Sequence, residues 1–421
     1  MKRKILFFTR MAICLLIIAI LQGCSSTPPE SEPLPVDALA YEVTEANAPK
    51  GYKIYLDASG SIPGYFTAGL SDYISIVANI ENVADSAAVY FWGDTNKPVK
   101  DLNSTITKGN YSATASLFWD IFSQMAEEVR KDNVLTFLVT DGIVSNCSAT
   151  TKRRSGYSIG DLPLVEGKVK KSLGDSLAVG VFRFEIPFSG TYYDIDNKKV
   201  QLPETNRPLY VFAIGSPGAL ADFKENRMTR KEMKSFNDKL KKSIWLGLLT
   251  KSQDNSGYGF QDGLSSFETD STDEGSLRVI LPAGTDDLNL TVDLPDWMEE
   301  YGININSSDR LELMSSSKDC SRKLDKSYAD GKIEIVLSNG EPSGDSSFND
   351  LVSDDYTLSY SIVYIPSKEW NQFSSEDDRN IKYDVSEQAK TFGLKEMIKG
   401  FELATKQPDT IFRTSLKFKS E

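Results

Sequence analysis

Three short clusters of oxygen-bearing side chains could carry chemistry in this chain. Asp57-Ala58-Ser59-Gly60-Ser61 places a carboxylate and two hydroxyls on one tight turn, which Gly60 allows to form. Thr140-Asp141-Gly142 supplies a second carboxylate, and Ser112-Ala113-Thr114 supplies further hydroxyls between the two. Carboxylate and hydroxyl oxygens suit hard cations, and Mg²⁺ takes six oxygen ligands at about 2.0–2.1 Å. The pattern predicts a divalent-cation site.

Two buried strands must position these carboxylates. The apolar run at 52–56 ends directly before Asp57, and the run at 134–139 ends directly before Thr140-Asp141. Apolar strands alternate with amphipathic helices from residue 51 to about 250, which predicts a doubly wound, Rossmann-like α/β domain with a mostly parallel sheet covered on both faces. Such sheets place their sites at the carboxyl ends of the strands. The further predicted elements are strands at 87–92, 177–184 and 209–214, helices at 65–79 and 115–130, and a core-facing helix along Met233, Phe236, Leu240, Ile244 and Leu248.

The order of these clusters resembles the metal-ion-dependent adhesion site of von Willebrand factor type A domains. The resemblance covers roughly residues 51–250. It implies that a divalent cation, Mg²⁺ or alternatively Ca²⁺ or Mn²⁺, is bound at the end of the sheet. It also implies that an acidic residue of a partner protein completes the coordination.

The resemblance also assigns the ligands. Ser59, Ser61 and a threonine would bind the cation directly, while Asp57 and Asp141 would act directly or through water. The threonine is Thr114, with Ser112 as the alternative, because the loop at 109–114 departs from the Gly-Gly-Thr-like loop usual in the family. A metal-free domain, in which these polar residues only cap the turn and the helix, is the alternative interpretation.

The composition excludes several catalytic classes. The 421 residues include no histidine, so a Ser-His-Asp triad, a Cys-His dyad and a His-ligated zinc or haem are all excluded. Lys and Arg number 47 against 60 Asp and Glu, a net charge of −13, which argues against a nucleic-acid partner. Gly156-Tyr157-Ser158-Ile159-Gly160 matches a nucleophile elbow, but it follows a basic loop and has no histidine to serve as base.

The N-terminus indicates a lipid anchor. Lys2, Arg3, Lys4 and Arg10 precede or flank a short apolar run at 11–21, which is typical of a signal peptide. The sequence Leu21-Gln22-Gly23-Cys24 resembles the lipobox of bacterial lipoproteins, which implies cleavage before Cys24 and its lipidation. Loss of the four positive residues takes the net charge from −13 to −17. Lipoproteins that are kept at the inner membrane often carry Asp directly after the cysteine, whereas this chain has Ser25, so the resemblance points to the outer membrane.

Beyond residue 250 the pattern changes to a second domain. A Gly, Ser and Asp-rich linker at 251–275 is followed by period-2 alternation, which predicts a β-rich, antiparallel domain at 276–421 with one helix at about 392–405. The predicted organisation is a signal peptide at 1–23, a tether at 24–50, an α/β domain at 51–250, the linker and this domain. Cys147 and Cys320 either pair or stay free, since they can lie in different domains.

Three functions are compatible with these features. The first is a non-enzymatic, lipid-anchored binding protein that holds the acidic residue of a partner protein through the cation. The second is a structural component of the envelope in which the cation only stabilises the fold. The third and weakest is a metal-assisted hydrolase that uses Asp57 and Asp141, for which the sequence places no separate base.

Overall fold

A computed structural model of the chain describes residues 48–84, 87–93, 97–100, 102, 106, 111, 118–144, 162–249, 301–302, 366 and 368–407. It also describes the backbone of strands at 146–147, 154–155 and between 258 and 420. The strands of the main sheet are β1 Tyr52–Asp57, β2 Ala87–Trp92, β3 Lys97–Pro98, β4 Leu135–Thr140, β7 Ala178–Tyr193, β8 Lys199–Gly215 and β9 Leu240–Leu246, with a separate pair formed by β5 Asn146–Cys147 and β6 Arg154–Ser155. The helices are α1 Pro63–Ala68, α2 Leu70–Val83, α3 Phe118–Asp132, α4 Leu162–Leu173, α5 Pro217–Asp222, α6 Lys234–Lys239, α7 Val385–Gln388 and α8 Leu394–Ala404.

The main sheet is mixed, with order β3-β2-β1-β4-β8-β7-β9. Strand β1 lies between β2 and β4 and is parallel to both, as the sequence predicts for this part of the chain. Strands β7 and β8 instead form one long antiparallel hairpin, and β8 is antiparallel to β4. The prediction of a mostly parallel sheet therefore holds for the strands that carry the two carboxylates. It does not hold for the β8 and β9 side, because the short connection between β7 and β8 forces the chain to reverse direction.

Helices cover both faces of this sheet, which makes the domain an α/β fold. On β4, Leu135, Phe137 and Val139 point into a first core with α1, α2, α5 and α6, whereas Leu138 points into a second core with α3 and α4. Alternate side chains of a strand lie on opposite faces, so a strand buried on both sides is apolar throughout. All six residues of β4 are buried, in agreement with its central place.

The predicted helix along residues 233–248 is correct only for its first part, since α6 spans Lys234–Lys239. The helix α6 ends at Lys239, and the chain continues as the edge strand β9, antiparallel to β7. Ile244 and Leu246 lie in the second core while Trp245 lies in the first. The apolar residues at 244–246 therefore alternate between two faces with the period of a strand, and the helical spacing of the wider set was coincidental.

The segment 368–407, which the sequence analysis assigned to the C-terminal domain, packs on the α/β domain. Helix α8 lies against α4, and its Met397, Phe401 and Ala404 belong to the second core together with Phe122 of α3. Gly400 allows the close approach, because a Cβ there would lie 2.6 Å from Cβ of Val169. The α/β core is thus completed by a helix from near the end of the chain.

The remaining strands form two sheets, as the β-rich pattern predicts. Nearly all neighbouring strands are antiparallel, but β12 pairs with β20 in parallel. The first sheet has order β10-β13-β16-β15 and the second β11-β12-β20-β17-β14. Their bounds are β10 Tyr258–Phe260, β11 Phe267–Thr269, β12 Ser276–Leu281, β13 Asp287–Asp293, β14 Leu311–Ser315, β15 Arg322–Ala329, β16 Lys332–Asn339, β17 Tyr356–Val363 and β20 Thr410–Ser420, and a short pair, β18 Ser374–Ser375 and β19 Thr391–Phe392, precedes α8.

Candidate metal site

The two predicted carboxylates meet at one edge of the sheet. Asp57 is the last residue of β1, and Asp141 follows Thr140, the last residue of β4. These strands are parallel neighbours, so their carboxyl ends coincide. The turn after β1 then returns Ser59 and Ser61 to the same place, and the structure brings Asp57, Ser59, Ser61 and Asp141 together as the sequence pattern predicts.

Hydrogen bonds join these four residues into one cluster. The Ser61 hydroxyl donates to Oδ2 of Asp141 at 2.5 Å, and Oγ of Ser59 lies 3.2 Å from Oγ of Ser61. The backbone N–H of Ser59 donates to Oδ1 of Asp57 at 2.8 Å, which closes the turn. The N–H of Ile143 likewise donates to Oδ1 of Asp141 at 3.2 Å. Both carboxylates are therefore held in defined orientations by their own loops.

Thr140 is a positioning residue that the sequence analysis did not identify. Its hydroxyl donates to Oδ2 of Asp57 at 2.7 Å and accepts from the N–H of Gly142 at 3.1 Å. Gly142 has a positive φ of 72°, which favours glycine and turns the chain sharply after Asp141. The hydroxyl thereby ties the end of β4 to that of β1. Its place directly before Asp141 was the only available signal in the sequence.

The cluster is closed off from solvent. Asp57 and Ser59 are each 1% exposed, and Ser61 and Asp141 are each 2% exposed. The far part of the β7–β8 hairpin lies over the first loop, since a Cβ at Gly60 would be 2.9 Å from the Tyr193 hydroxyl oxygen. Such close cover removes bulk water, so each electrostatic interaction in the cluster is stronger than it would be at the surface.

A second cover lies over the Asp141 loop. A Cβ at Gly142 would be 2.8 Å from the ring of Tyr210 on β8 and 3.4 Å from Cγ2 of Thr391 on β19. The Tyr210 hydroxyl also lies 3.2 Å from Oγ1 of Thr391 and donates to it. Thr391, about 250 positions further along the chain, therefore helps to enclose the end of β4.

The charges of the cluster act on the tyrosines around it. Burial raises the pKa of Tyr65 well above its usual range; the Asp141 carboxylate raises it further and Arg207 opposes the rise. Burial likewise raises the pKa of Tyr73, with smaller contributions from Tyr111 and Asp57. These phenols stay protonated, so they add no negative charge beside the carboxylates, and the Tyr65 hydroxyl donates to the carbonyl oxygen of Pro208.

The donor set fits a small hard cation. Adjacent ligands of an octahedral Mg²⁺ lie about 2.9 Å apart, because each is about 2.0–2.1 Å from the ion and neighbours subtend a right angle. The Ser61–Asp141 and Ser59–Ser61 oxygen separations of 2.5 and 3.2 Å bracket that value. Within the described residues no group of three or more Cys, Asp and Glu side chains could hold a metal ion. A cation at this cluster would have two carboxylates and would need the hydroxyls as further ligands.

Several predicted residues lie outside the described part of the chain. They are Thr114 and its alternative Ser112, the lipidation site Cys24, Cys320 and the Gly-x-Ser-x-Gly loop at 156–160, while Cys147 is described only in its backbone. No helix of the described residues is long and apolar enough to span a bilayer.

Two sequence comparisons give no relative of this chain, so its function is inferred from its own residues. The chain matches no protein-family model. A comparison with curated proteins found no sequence match.

Proposed function

We propose that this chain is a lipid-anchored binding protein of the bacterial cell envelope that captures a partner protein through a divalent cation. The cation, Mg²⁺ or alternatively Ca²⁺ or Mn²⁺, is held by Asp57, Ser59, Ser61 and Asp141, with Thr114 or Ser112 as a further ligand. An acidic side chain of the partner completes the coordination. The domain would then be of the von Willebrand factor type A kind, and lipidated Cys24 would hold it at the outer membrane.

One observation carries this proposal. Oxygens from two separate loops, at residues 57–61 and 141, converge within hydrogen-bond distance at the carboxyl ends of the parallel strands β1 and β4. A purely structural cap of a turn needs only its own loop, whereas two carboxylates and two hydroxyls in one buried cluster supply what a hard cation requires. The mature chain would be strongly acidic, so a bound cation is what would make the approach of a partner's carboxylate favourable.

A structural function for the cation is the second candidate, and the burial of the cluster favours it. With the four residues only 1–2% exposed, a cation held there would stabilise the folded chain even without any partner. This function predicts that added Mg²⁺ raises the thermal unfolding temperature while partner capture stays independent of cation. The binding function predicts that both depend on cation.

The test measures cation binding and partner capture with the same variants. Calorimetric titration of the mature chain with Mg²⁺ should show one site that is lost in Asp57→Ala. Capture from envelope extracts in Mg²⁺, with release by a chelator, should also fail in Asp57→Ala, because an essential ligand is gone.

A matched control separates loss of the site from loss of any buried aspartate. Asp222 is 6% exposed at the end of α5 and accepts hydrogen bonds from Asn226 and Arg227. Asp222→Ala should bind Mg²⁺ and capture the partner like the natural chain. Equal capture in chelator and in Asp57→Ala would show that the cation does not mediate binding.

A further inference from the structure

Residues 376–390, here termed the strap, connect β18 to β19. The strap leaves the α/β domain after β18 and returns at β19, and these two strands pair in parallel, with Ser374 opposite Thr391 and Ser375 opposite Phe392. Its ends are thus fixed to each other and to the start of α8. The body of the strap is held instead by the far part of the β7–β8 hairpin, residues 187–205, here termed the hairpin tip.

Asp378 is the centre of this attachment. Its side chain is 1% exposed, and its two carboxylate oxygens accept hydrogen bonds from the hairpin: Oδ2 from the Tyr192 hydroxyl at 2.5 Å and Oδ1 from the N–H of Ile195 at 2.7 Å. At the surface, Arg379 adds a bidentate ion pair with Asp196 at 3.0 and 3.2 Å. The strap and the hairpin tip therefore form one unit.

The two buried arginines of the hairpin hold the other end of the strap. Nη1 of Arg207 donates to the carbonyl oxygen of Gln388 at 2.9 Å, and Nη2 of Arg183 donates to that of Ala389 at 3.0 Å. Their remaining groups are poorly satisfied, since Nε of both arginines and Nη2 of Arg207 have no hydrogen-bond partner within the described part of the chain. Buried unpaired donors cost free energy, so the contact between the two arginines and the strap is less stable than one in which every donor is paired.

The strap and the hairpin tip contact the site through residues adjacent to their own attachment points. Tyr192, which binds Asp378, is followed by Tyr193, whose hydroxyl lies against Gly60 between Ser59 and Ser61. Thr391, the residue of β19 that directly follows the strap, lies against Gly142 beside Asp141, together with Tyr210 of β8. The hairpin tip thus covers Gly60, residues at the end of the strap and on β8 cover Gly142, and Asp378 joins the strap to the hairpin tip.

We infer that the strap is a latch that controls access to the cation site: a partner's acidic residue reaches the cation only after the strap separates from the hairpin tip. The inference rests on the proposed function and deepens it. In the latched state the four candidate ligands are sealed, so a cation exchanges slowly. Separation of Asp378 from Tyr192 and Ile195 frees the end of β7 around Tyr193 to move away from Gly60 and opens the end of β1, while Phe188 and Gly190 stay packed on α1.

The experiment measures how fast the cation leaves. Tb³⁺ replaces Mg²⁺ as a luminescent probe in the mature full-length chain, and the signal lost in Asp57→Asn defines binding at this site. A chelator is then added in a stopped-flow instrument. Tyr192→Phe and Asp378→Asn should each release Tb³⁺ about tenfold faster than the natural chain, because loss of one buried hydrogen bond of the latch shifts the closed state by about that factor.

Two control variants test whether faster release of Tb³⁺ is specific to the buried contact between the strap and the hairpin tip. Tyr55→Phe removes another buried tyrosine hydroxyl, one that binds Glu128 on α3, and should leave release within twofold of the natural rate. Arg379→Ala removes the exposed ion pairs of Arg379 with Asp196 and Asp377 and should change release less than Asp378→Asn does. Circular dichroism identifies a variant that fails to fold, and because the two latch variants change opposite partners of the same hydrogen bond, either one carries the test.

Each outcome decides one of the two proposals. Site-specific Tb³⁺ with faster release in the latch variants supports the latch. Site-specific Tb³⁺ with equal release in all variants overturns the latch and leaves the cation-dependent function standing. Absence of any Asp57-dependent Tb³⁺ signal overturns the cation site itself, and the latch with it.

Discussion

The hydroxyl of Thr140 donates a 2.7 Å hydrogen bond to Oδ2 of Asp57 and so joins the ends of two parallel strands. The bond leaves Asp57 with a fixed orientation, since its other oxygen is held by the N–H of Ser59. A ligand held from both sides loses little freedom when it binds a cation, so such supporting residues contribute to affinity without touching the ion.

Replacement of Thr140 by valine should therefore weaken cation binding. Thr140→Val keeps the size of the side chain and removes the donor, and we expect an affinity for Mg²⁺ about 10–100-fold lower, measured by calorimetric titration. Thr136→Val is the matched control, because Thr136 is also fully buried on β4 but donates to the carbonyl of Ile214. The control should lose about 1 kcal/mol of stability and keep its affinity. Equal affinities in the two variants would contradict the positioning function of Thr140.

Helix α8 should contribute as much to the α/β core as a helix from within the domain. Phe401 packs at 5.3 Å from the ring of Phe122 and 5.5 Å from that of Phe212. Phe401→Ala should lower the free energy of unfolding by about 3–5 kcal/mol, because it leaves a cavity in a closed core. Leu403→Ala, on the exposed side of the same helix at 48% exposure, should change it by less than about 0.5 kcal/mol. Denaturant unfolding followed by fluorescence measures the free energy of unfolding of both variants. An unchanged value for Phe401→Ala would show that α8 is dispensable to this core.

The stability of the chain should fall between pH 5 and pH 8 because of Glu402 on α8. Burial, and to a lesser extent Glu166, raise the pKa of Glu402 to about 8, although Lys399 opposes the rise. Oε1 of Glu402 has no hydrogen-bond partner among the described residues. In the unfolded chain the pKa is about 4.5, so the folded state favours the protonated form. The free energy of unfolding therefore has its full value below about pH 4.5, where Glu402 is protonated in both states, and it falls as the pH rises from 4.5 to 8.

Glu402→Gln should remove this dependence. The variant should match the natural chain near pH 5 and exceed its free energy of unfolding by up to about 4 kcal/mol at pH 9, because glutamine cannot ionise and each pKa unit is worth about 1.36 kcal/mol. Glu204→Gln, at an exposed position of the hairpin, should leave the difference between pH 5 and pH 9 unchanged. Parallel pH profiles for the natural chain and Glu402→Gln would contradict the assignment.

Lipid attachment should depend on Cys24 alone. Cys24→Ser should leave the precursor unprocessed and without lipid, as shown by its larger size and by the absence of label from a fatty-acid analogue. Cys14→Ser, within the apolar run of the same signal segment, is the matched control and should be processed and labelled normally. Label that persists in Cys24→Ser would show that the anchor lies elsewhere.

The local pattern of the sequence was sufficient to bring the carboxylates together. An apolar strand that ends in Asp57 and another that ends in Thr140-Asp141 place both acids at one sheet edge, provided that the strands are parallel neighbours, and β1 and β4 are. The α/β class follows from the same alternation of strands and helices. The binding of a cation by these residues remains a prediction.

Only the tertiary structure decided how that edge is closed. Asp378 meets Tyr192, and Thr391 meets Gly142, across separations of 186 and about 250 residues, and no local period encodes such contacts. The part of the predicted helix that is wrong, 240–248, has the same cause, because Ile244 fits both the helical spacing of the wider set and the strand alternation of 244–246, and only the packing of β9 between two cores selects the strand. Hydrophobic period determines which face a residue presents, whereas the element it meets there depends on the path of the whole chain.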